Sequence, residues 1–107
     1  MPASRSSSPD SAAVVRVQIY GLLRLMLGGR AQMELPWQAG DTVGRMLERF
    51  QAALTVPVHQ KLVDDAGTLH AGTIILVNRR NVLHLRGLET PLEEGDVLAL
   101  FPPGAGG

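Results

Sequence analysis

The last seven residues, Phe101-Pro102-Pro103-Gly104-Ala105-Gly106-Gly107, are the part of the chain best suited to chemistry, with the α-carboxylate of Gly107 as the reacting group. Two adjacent prolines fix φ and send the backbone off in an extended, semi-rigid direction. The four residues after them reach at most about 14 Å. Residues without a Cβ pass through a channel too narrow for any side chain, and a terminal glycine leaves its carboxylate sterically open. At a glycine usage of about 7%, two terminal glycines arise by chance in roughly 0.5% of chains, so the ending asks for a chemical reason. It suits modification of its own carboxylate inside another protein.

The other reactive residue types do not assemble into a centre. Every serine (Ser4, Ser6, Ser7, Ser8 and Ser11) lies near the N-terminus, in a stretch with nothing to hold a hydroxyl against a base. Without cysteine there is no thiol nucleophile, disulfide, iron–sulfur cluster or cysteine-rich zinc site. His59, His70 and His84 are too widely spaced for a metal pair, so no metal site is expected. The carboxylates Asp64, Asp65, Glu93, Glu94 and Asp96 stand beside glycines and read as solvated turns. No Gly-rich loop ends in Lys-Ser or Lys-Thr, and the glycines at 104–107 precede no helix, so no phosphate loop is present. Arg79, Arg80 and Arg86 form a local basic patch. With only four aromatic residues in the chain it lacks a stacking platform and reads as a protein-contact edge or a solvated hairpin.

A chain of 107 residues with 45% hydrophobic content has room for one domain. Ten acidic and ten basic residues cancel, so no general field attracts nucleic acid or an anionic membrane, and neither is expected as a partner. Residues 1–13, with five serines and two prolines, read as a disordered arm without the apolar stretch of a secretory signal. The run Leu22–Leu27 is split by Arg24 and is far shorter than the ~20 residues that span a bilayer. The expectation is a cytoplasmic protein with a domain at 14–103 and a flexible tail at 104–107.

Val15, Val17 and Ile19 alternate with Arg16, Gln18 and Tyr20, the period of a strand with one buried face. A turn containing Gly28 and Gly29 leads to a second strand over Ala31–Leu35, ended by Pro36 and paired with the first as an antiparallel hairpin. A helix start at Gly40-Asp41-Thr42 precedes Val43, Met46, Leu47, Phe50 and Leu54, an apolar stripe at helical spacing. Leu62-Val63 suggests a short edge strand before the Asp65-Ala66-Gly67 turn. Thr73–Val77 reads as a strand covered on both faces. Asn78–Asn81 turns the chain, and Val82–Leu85 returns as a second arm. Val97–Phe101 is apolar throughout, as a central strand in a mixed sheet would be, and Pro102-Pro103 stops it. The pattern predicts an α+β roll of four to five strands with one main helix. If the last strand lies beside the first, Tyr20 and Phe101 share the sheet face away from the helix as contacts for a partner; the alternative is that Phe101 packs in the core.

The stretches Val77–Val82, Gly87–Val97 and Phe101–Gly107, with Tyr20-Gly21-Leu22-Leu23-Arg24 and Asp41-Thr42-Val43, resemble the MoaD/ThiS family of ubiquitin-like sulfur carriers. The likeness is greatest to the small subunit of molybdopterin synthase, and covers nearly all of residues 14–107. The chain departs from the family pattern at Gly104, where valine is common, and at Arg79, where glycine is common after Asn78. The resemblance implies a β-grasp fold. It also implies that an E1-like, ATP-using enzyme adenylates Gly107, that a sulfur donor protein converts the adenylate to a thiocarboxylate, and that the carrier delivers the sulfur. For molybdopterin the recipient sits on the synthase large subunit, whose active site receives Pro102, Pro103, Gly104, Ala105 and Gly106 while Phe101, Tyr20 and Arg24 meet the partner. The chain would then be a non-catalytic subunit with no resident cofactor beyond the covalent thiocarboxylate. Carriers for thiamine, tRNA thiolation and cysteine synthesis share the ending, as do ubiquitin-like modifiers that form an amide with a target lysine. A single lysine, Lys61, against nine arginines limits self-linked chains.

Overall fold

In the computed structural model, which describes residues 13–104, the strand pattern folds into a five-stranded mixed sheet. The elements run β1 (Val14–Ile19), α1 (Gly21–Met26), β2 (Gln32–Pro36), α2 (Val43–Ala52), β3 (Ile74–Val77), β4 (Arg80–Asn81) and β5 (Val97–Phe101). The sheet order is β2-β1-β5-β3-β4. Apolar β5 is therefore central, parallel to β1 on one side and antiparallel to β3 on the other. The expected roll is present.

Alternation decides which face is covered. Val15, Val17 and Ile19 of β1 and Leu98 and Leu100 of β5 point to one side, where Val43, Met46, Leu47 and Phe50 of α2 seal them into the core. Phe50 and Met46 are almost wholly removed from water. Burial of side chains of this size contributes about 1.5–3 kcal/mol each. Thr42 caps α2 by accepting the Arg45 N–H on Oγ1 at 3.2 Å. Asp41, the other cap candidate, instead pairs with Arg49. Pro36 falls in the last pair of β2 rather than beyond it, tolerated because β2 is an edge strand.

Three local expectations are corrected. The hairpin after β3 turns on Asn78 and Arg79 alone, both at positive φ (49° and 74°). β4 is consequently only Arg80–Asn81, and Val82–Leu85 does not return as a strand. The Asn81 side chain accepts the Leu83 N–H at 2.9 Å and winds Val82–His84 into a single 3₁₀ turn. Leu62-Val63 contributes a single bridge, Val63 to Leu69, because Asp64 Oδ1 collects the Ala66 and Thr68 N–H groups and closes the chain too tightly for a strand. The segment before Gly28 is the helix α1, which buries Leu23 and partly buries Met26.

Asn78 clips the far end of the sheet. Its Oδ1 accepts the Val97 N–H at 2.9 Å, and its Nδ2 donates to Asp96 Oδ1 at 2.9 Å. The side chain thus tolerates the left-handed backbone of the turn and also fixes the start of β5. Arg79 keeps its left-handed conformation without glycine, a strain of order 1 kcal/mol. Ala13 already belongs to the ordered unit, since its carbonyl accepts the Trp37 N–H at 3.0 Å. The remainder of the expected N-terminal arm lies outside the described residues.

Candidate functional site

The tail leaves from the C-terminal end of the central strand. Tyr20 N donates to Leu100 O at 3.2 Å, which carries the β1–β5 ladder to its last rung and sets Tyr20 beside Phe101. Both side chains take the parity of Gln18 and Ala99, away from α2. Their rings stack with centroids 4.3 Å apart and planes inclined by 6°. Phe101 is half-buried by this contact and stands on the open face, not in the core. Ile74 is paired with Phe101 across the sheet and is 43% exposed, so β3, expected to be covered on both faces, is covered only on the α2 side, because among the described residues no element packs on the other.

Tyr20, Phe101 and Ile74 thus form an apolar row across three strands, directly below Pro102. Leu22, at the start of α1, is 40% exposed. A depression of about 520 Å³ on the same face reaches from Tyr20 over Gln18 and Leu76 to Arg79. The row is exposed, apolar and rimmed by polar side chains, as the sequence reading expects of a contact face. Arg24, the third expected contact residue, lies on α1 and donates from Nε to Gly29 O at 3.3 Å, so part of its hydrogen-bonding capacity closes the loop after the helix.

Pro102 and Pro103 are half-buried and Gly104 is exposed; Ala105, Gly106 and Gly107 lie outside the described residues. The pattern reading did not single out Ile74, Leu22, Gly21 or Gly72 at this site. The signal for Ile74 was available in the parity of the Thr73–Val77 run once its partner strand was known. Within residues 13–104 no three His, Cys, Asp or Glu side chains converge on a metal-sized position. No helix there is long and apolar enough to cross a membrane. What the described part of the site offers is a rigid, apolar-collared base for a short arm.

The Phe101→Glu protein is expected to remain folded. Losing the stacked pair costs about 0.5–1.5 kcal/mol, whereas losing an aromatic anchor at the centre of an interface costs 2 kcal/mol or more of binding. Thermal melting and titration with a partner separate the two. A protein that no longer folds would instead make Phe101 a structural residue.

A small α+β roll with α2 across a mixed sheet, and a Pro102-Pro103 exit from its central strand, defines a ubiquitin-like β-grasp protein. The ThiS family matches residues 17–107, and the chain belongs to that family of ubiquitin-like sulfur carriers and modifiers. It is 32% identical over 95 residues to small archaeal modifier protein 3 of Haloferax volcanii, covering 87% of this chain and 98% of the relative. The sulfur carrier protein CysO of Mycobacterium tuberculosis matches with the same identity and coverage. The crystal structure of the Amycolatopsis orientalis BexX/CysO complex superposes with a TM-score of 0.71 at 30% identity, covering 87% of this chain and 99% of that one.

Proposed function

We propose that this protein carries sulfur as a thiocarboxylate on Gly107. An E1-like enzyme transfers AMP from ATP to the carboxylate and releases pyrophosphate. A persulfide on a donor protein then attacks the acyl carbon and expels AMP, and a second donor thiol cleaves the resulting acyl disulfide, leaving the C-terminal C(=O)S⁻ group and a disulfide on the donor. Adenylation is required because a carboxylate is a poor electrophile, and the thiocarboxylate is a strong nucleophile at neutral pH. The observation that carries the reading is the Phe101-Pro102-Pro103 exit from the central strand, collared by Tyr20 and Ile74 and continued by a chain ending in two glycines. Tyr20, Phe101 and Arg24 are proposed to meet the activating enzyme and then the acceptor protein. The carrier needs no metal and no resident cofactor of its own in this cycle.

For the destination we propose molybdopterin synthesis. The tail would enter a synthase large subunit that supplies the catalytic groups and converts a cyclic pyranopterin to the dithiolene. The motifs Gly87–Leu92 and Phe101–Pro103 favour this branch. A second reading, favoured by the similarity to a small archaeal modifier protein, is transfer of the activated tail to a lysine of a target protein.

Intact mass of the protein from its native cell is expected to reveal replacement of one oxygen by sulfur at the C-terminus. An unmodified carboxylate under sulfur-replete conditions would overturn the carrier reading, and an isopeptide to a target would favour the second. Thiocarboxylated protein with the large subunit from the same source should yield dithiolene. Failure there, with thiolation of tRNA or of a thiazole precursor, would reject the molybdopterin branch and keep the carrier.

A further inference from the structure

Among the described residues, eight glycines adopt positive φ, and at six of them nothing lies within 4 Å of the point where a Cβ would stand. The two exceptions are Gly21 (φ 63°) and Gly72 (φ 89°). In both, the neighbour is a proline of the tail: Pro102 Cγ and Cδ at 3.5 Å from the Gly21 point, and Pro103 Cα and Cβ at 3.7 Å from the Gly72 point. The glycines come from opposite sides. Gly21 follows β1 and Gly72 precedes β3, the two strands that flank β5.

Both positions are anchored. Tyr20, next to Gly21, is bonded to Leu100 O, and Gly72 sits in a turn closed by Thr73 N to His70 O at 3.0 Å, with His70 N held on Leu62 O at 2.9 Å. Thr73 is buried.

We propose that Gly21 and Gly72 are positioning residues: bare backbone shoulders that clasp Pro102 and Pro103 and set the direction in which the tail leaves the domain. The inference rests on the carrier reading for its consequence but not for its geometry. A change of direction at Pro103 displaces everything that follows it in the chain. Reaction rates fall about 100-fold for a misplacement of about 1 Å. A clasp at the root narrows the search that the carboxylate makes for the adenylating site, while the apolar row below it does the docking.

The test compares Gly72→Asn with Gly67→Asn. Asparagine is the side chain that best tolerates a left-handed backbone. Gly67 has nearly the same φ, 82° against 89°, with open space around it, so it serves as the matched control for strain. Spin labels are placed at Glu94→Cys and Gly104→Cys in the otherwise cysteine-free chain; Gly104 has open space for a side chain. The Gly72→Asn protein should give a shifted or at least two-fold broader distance distribution, and the Gly67→Asn protein an unchanged one. Adenylation by the E1-like enzyme should lose about ten-fold in kcat for Gly72→Asn with KM for the carrier unchanged. If Gly72→Asn does not fold, Pro103→Ala, which removes the ring from the same seat, is measured against the parent chain.

Distance distributions that coincide across these proteins would overturn the clasp, whatever the enzyme does. A changed distribution with no adenylation of the parent chain would leave the clasp standing and reject the carrier reading.

Discussion

A chain ending at Gly106, or extended by one residue after Gly107, is expected to form no measurable acyl-adenylate with its activating enzyme while melting at the same temperature as the parent protein. One residue of extended chain is about 3.5 Å. Since about 1 Å of misplacement costs about 100-fold, the loss should be at least about 10³-fold. The semi-rigid Pro102-Pro103 root sharpens the effect, because the displacement cannot be absorbed by rotating about the start of the tail. Stability should not change, since the core lies on the other face of the sheet, among Val17, Leu98, Leu100 and Phe50. Deleting residues 1–12 should leave the adenylation rate within about two-fold, as the removal of a terminal segment poor in apolar residues does. The measurement is pyrophosphate exchange with the purified E1-like enzyme. An extended protein that still forms the adenylate, with its C-terminus intact by mass, would rule out Gly107 as the reacting residue.

The parts legible in the sequence were those whose pattern repeats. Val15, Val17 and Ile19 declared a one-sided strand, and the Val43-to-Phe50 stripe declared the helix that covers it, because burial on one face imposes periods of 2 and 3.6. β5 was legible as a central strand from its uniform apolarity, although α2 covers only one of its faces and Phe101 on the other is half-buried. What escaped were elements too short to hold a period. The six residues of α1 pack inward only through Leu23 and Met26, an offset of three that is weak within a leucine-rich run. The Val82–Leu85 segment has branched and apolar residues suited to a strand, yet one hydrogen bond from Leu83 N to the Asn81 side chain bends it. At the site, the Pro102-Pro103 exit was legible because it depends on residue types at fixed positions. The stacking of Tyr20 on Phe101 was half legible: parity placed Tyr20 on the open face, and only the parallel register of β1 with β5 put the rings together. The proline seats on Gly21 and Gly72 were not legible at all, since they join segments 81 and 31 residues apart in the chain.

The pair Asp41–Arg49 should control stability in acid without touching sulfur chemistry. Asp41 has only 4% of its side chain exposed. Its Oδ1 accepts Arg49 Nη2 at 3.2 Å, and its Oδ2 accepts Arg49 Nη1 and the Gln38 N–H. Arg49 also donates to Pro36 O at 2.9 Å, so the pair ties the end of β2 to α2. Hydrogen bonding from Arg49 is the largest influence on Asp41 and holds its carboxyl below the ordinary value of 3.8, against a burial effect that pushes it up. A carboxyl with a depressed folded pKa stabilises the fold fully above its unfolded pKa and loses that contribution as pH falls through the folded one. The contribution is therefore constant from pH 5 to 8 and fades below about pH 4. Asp41→Asn is expected to cost about 2–3 kcal/mol at pH 7, below the 3–5 kcal/mol typical of a severed buried pair because Arg49 remains partly hydrated. Arg49→Met should cost more, because it strands the deeper of the two charges. In denaturant titrations at pH 7 and pH 3, both variants should lose less stability on acidification than the parent. A parent-like acid slope in the Asp41→Asn protein would mean that other carboxylates carry the effect. Because the pair fastens β2 and α2 rather than the tail's root at Gly21 and Gly72, either variant should be adenylated at the parental rate while folded.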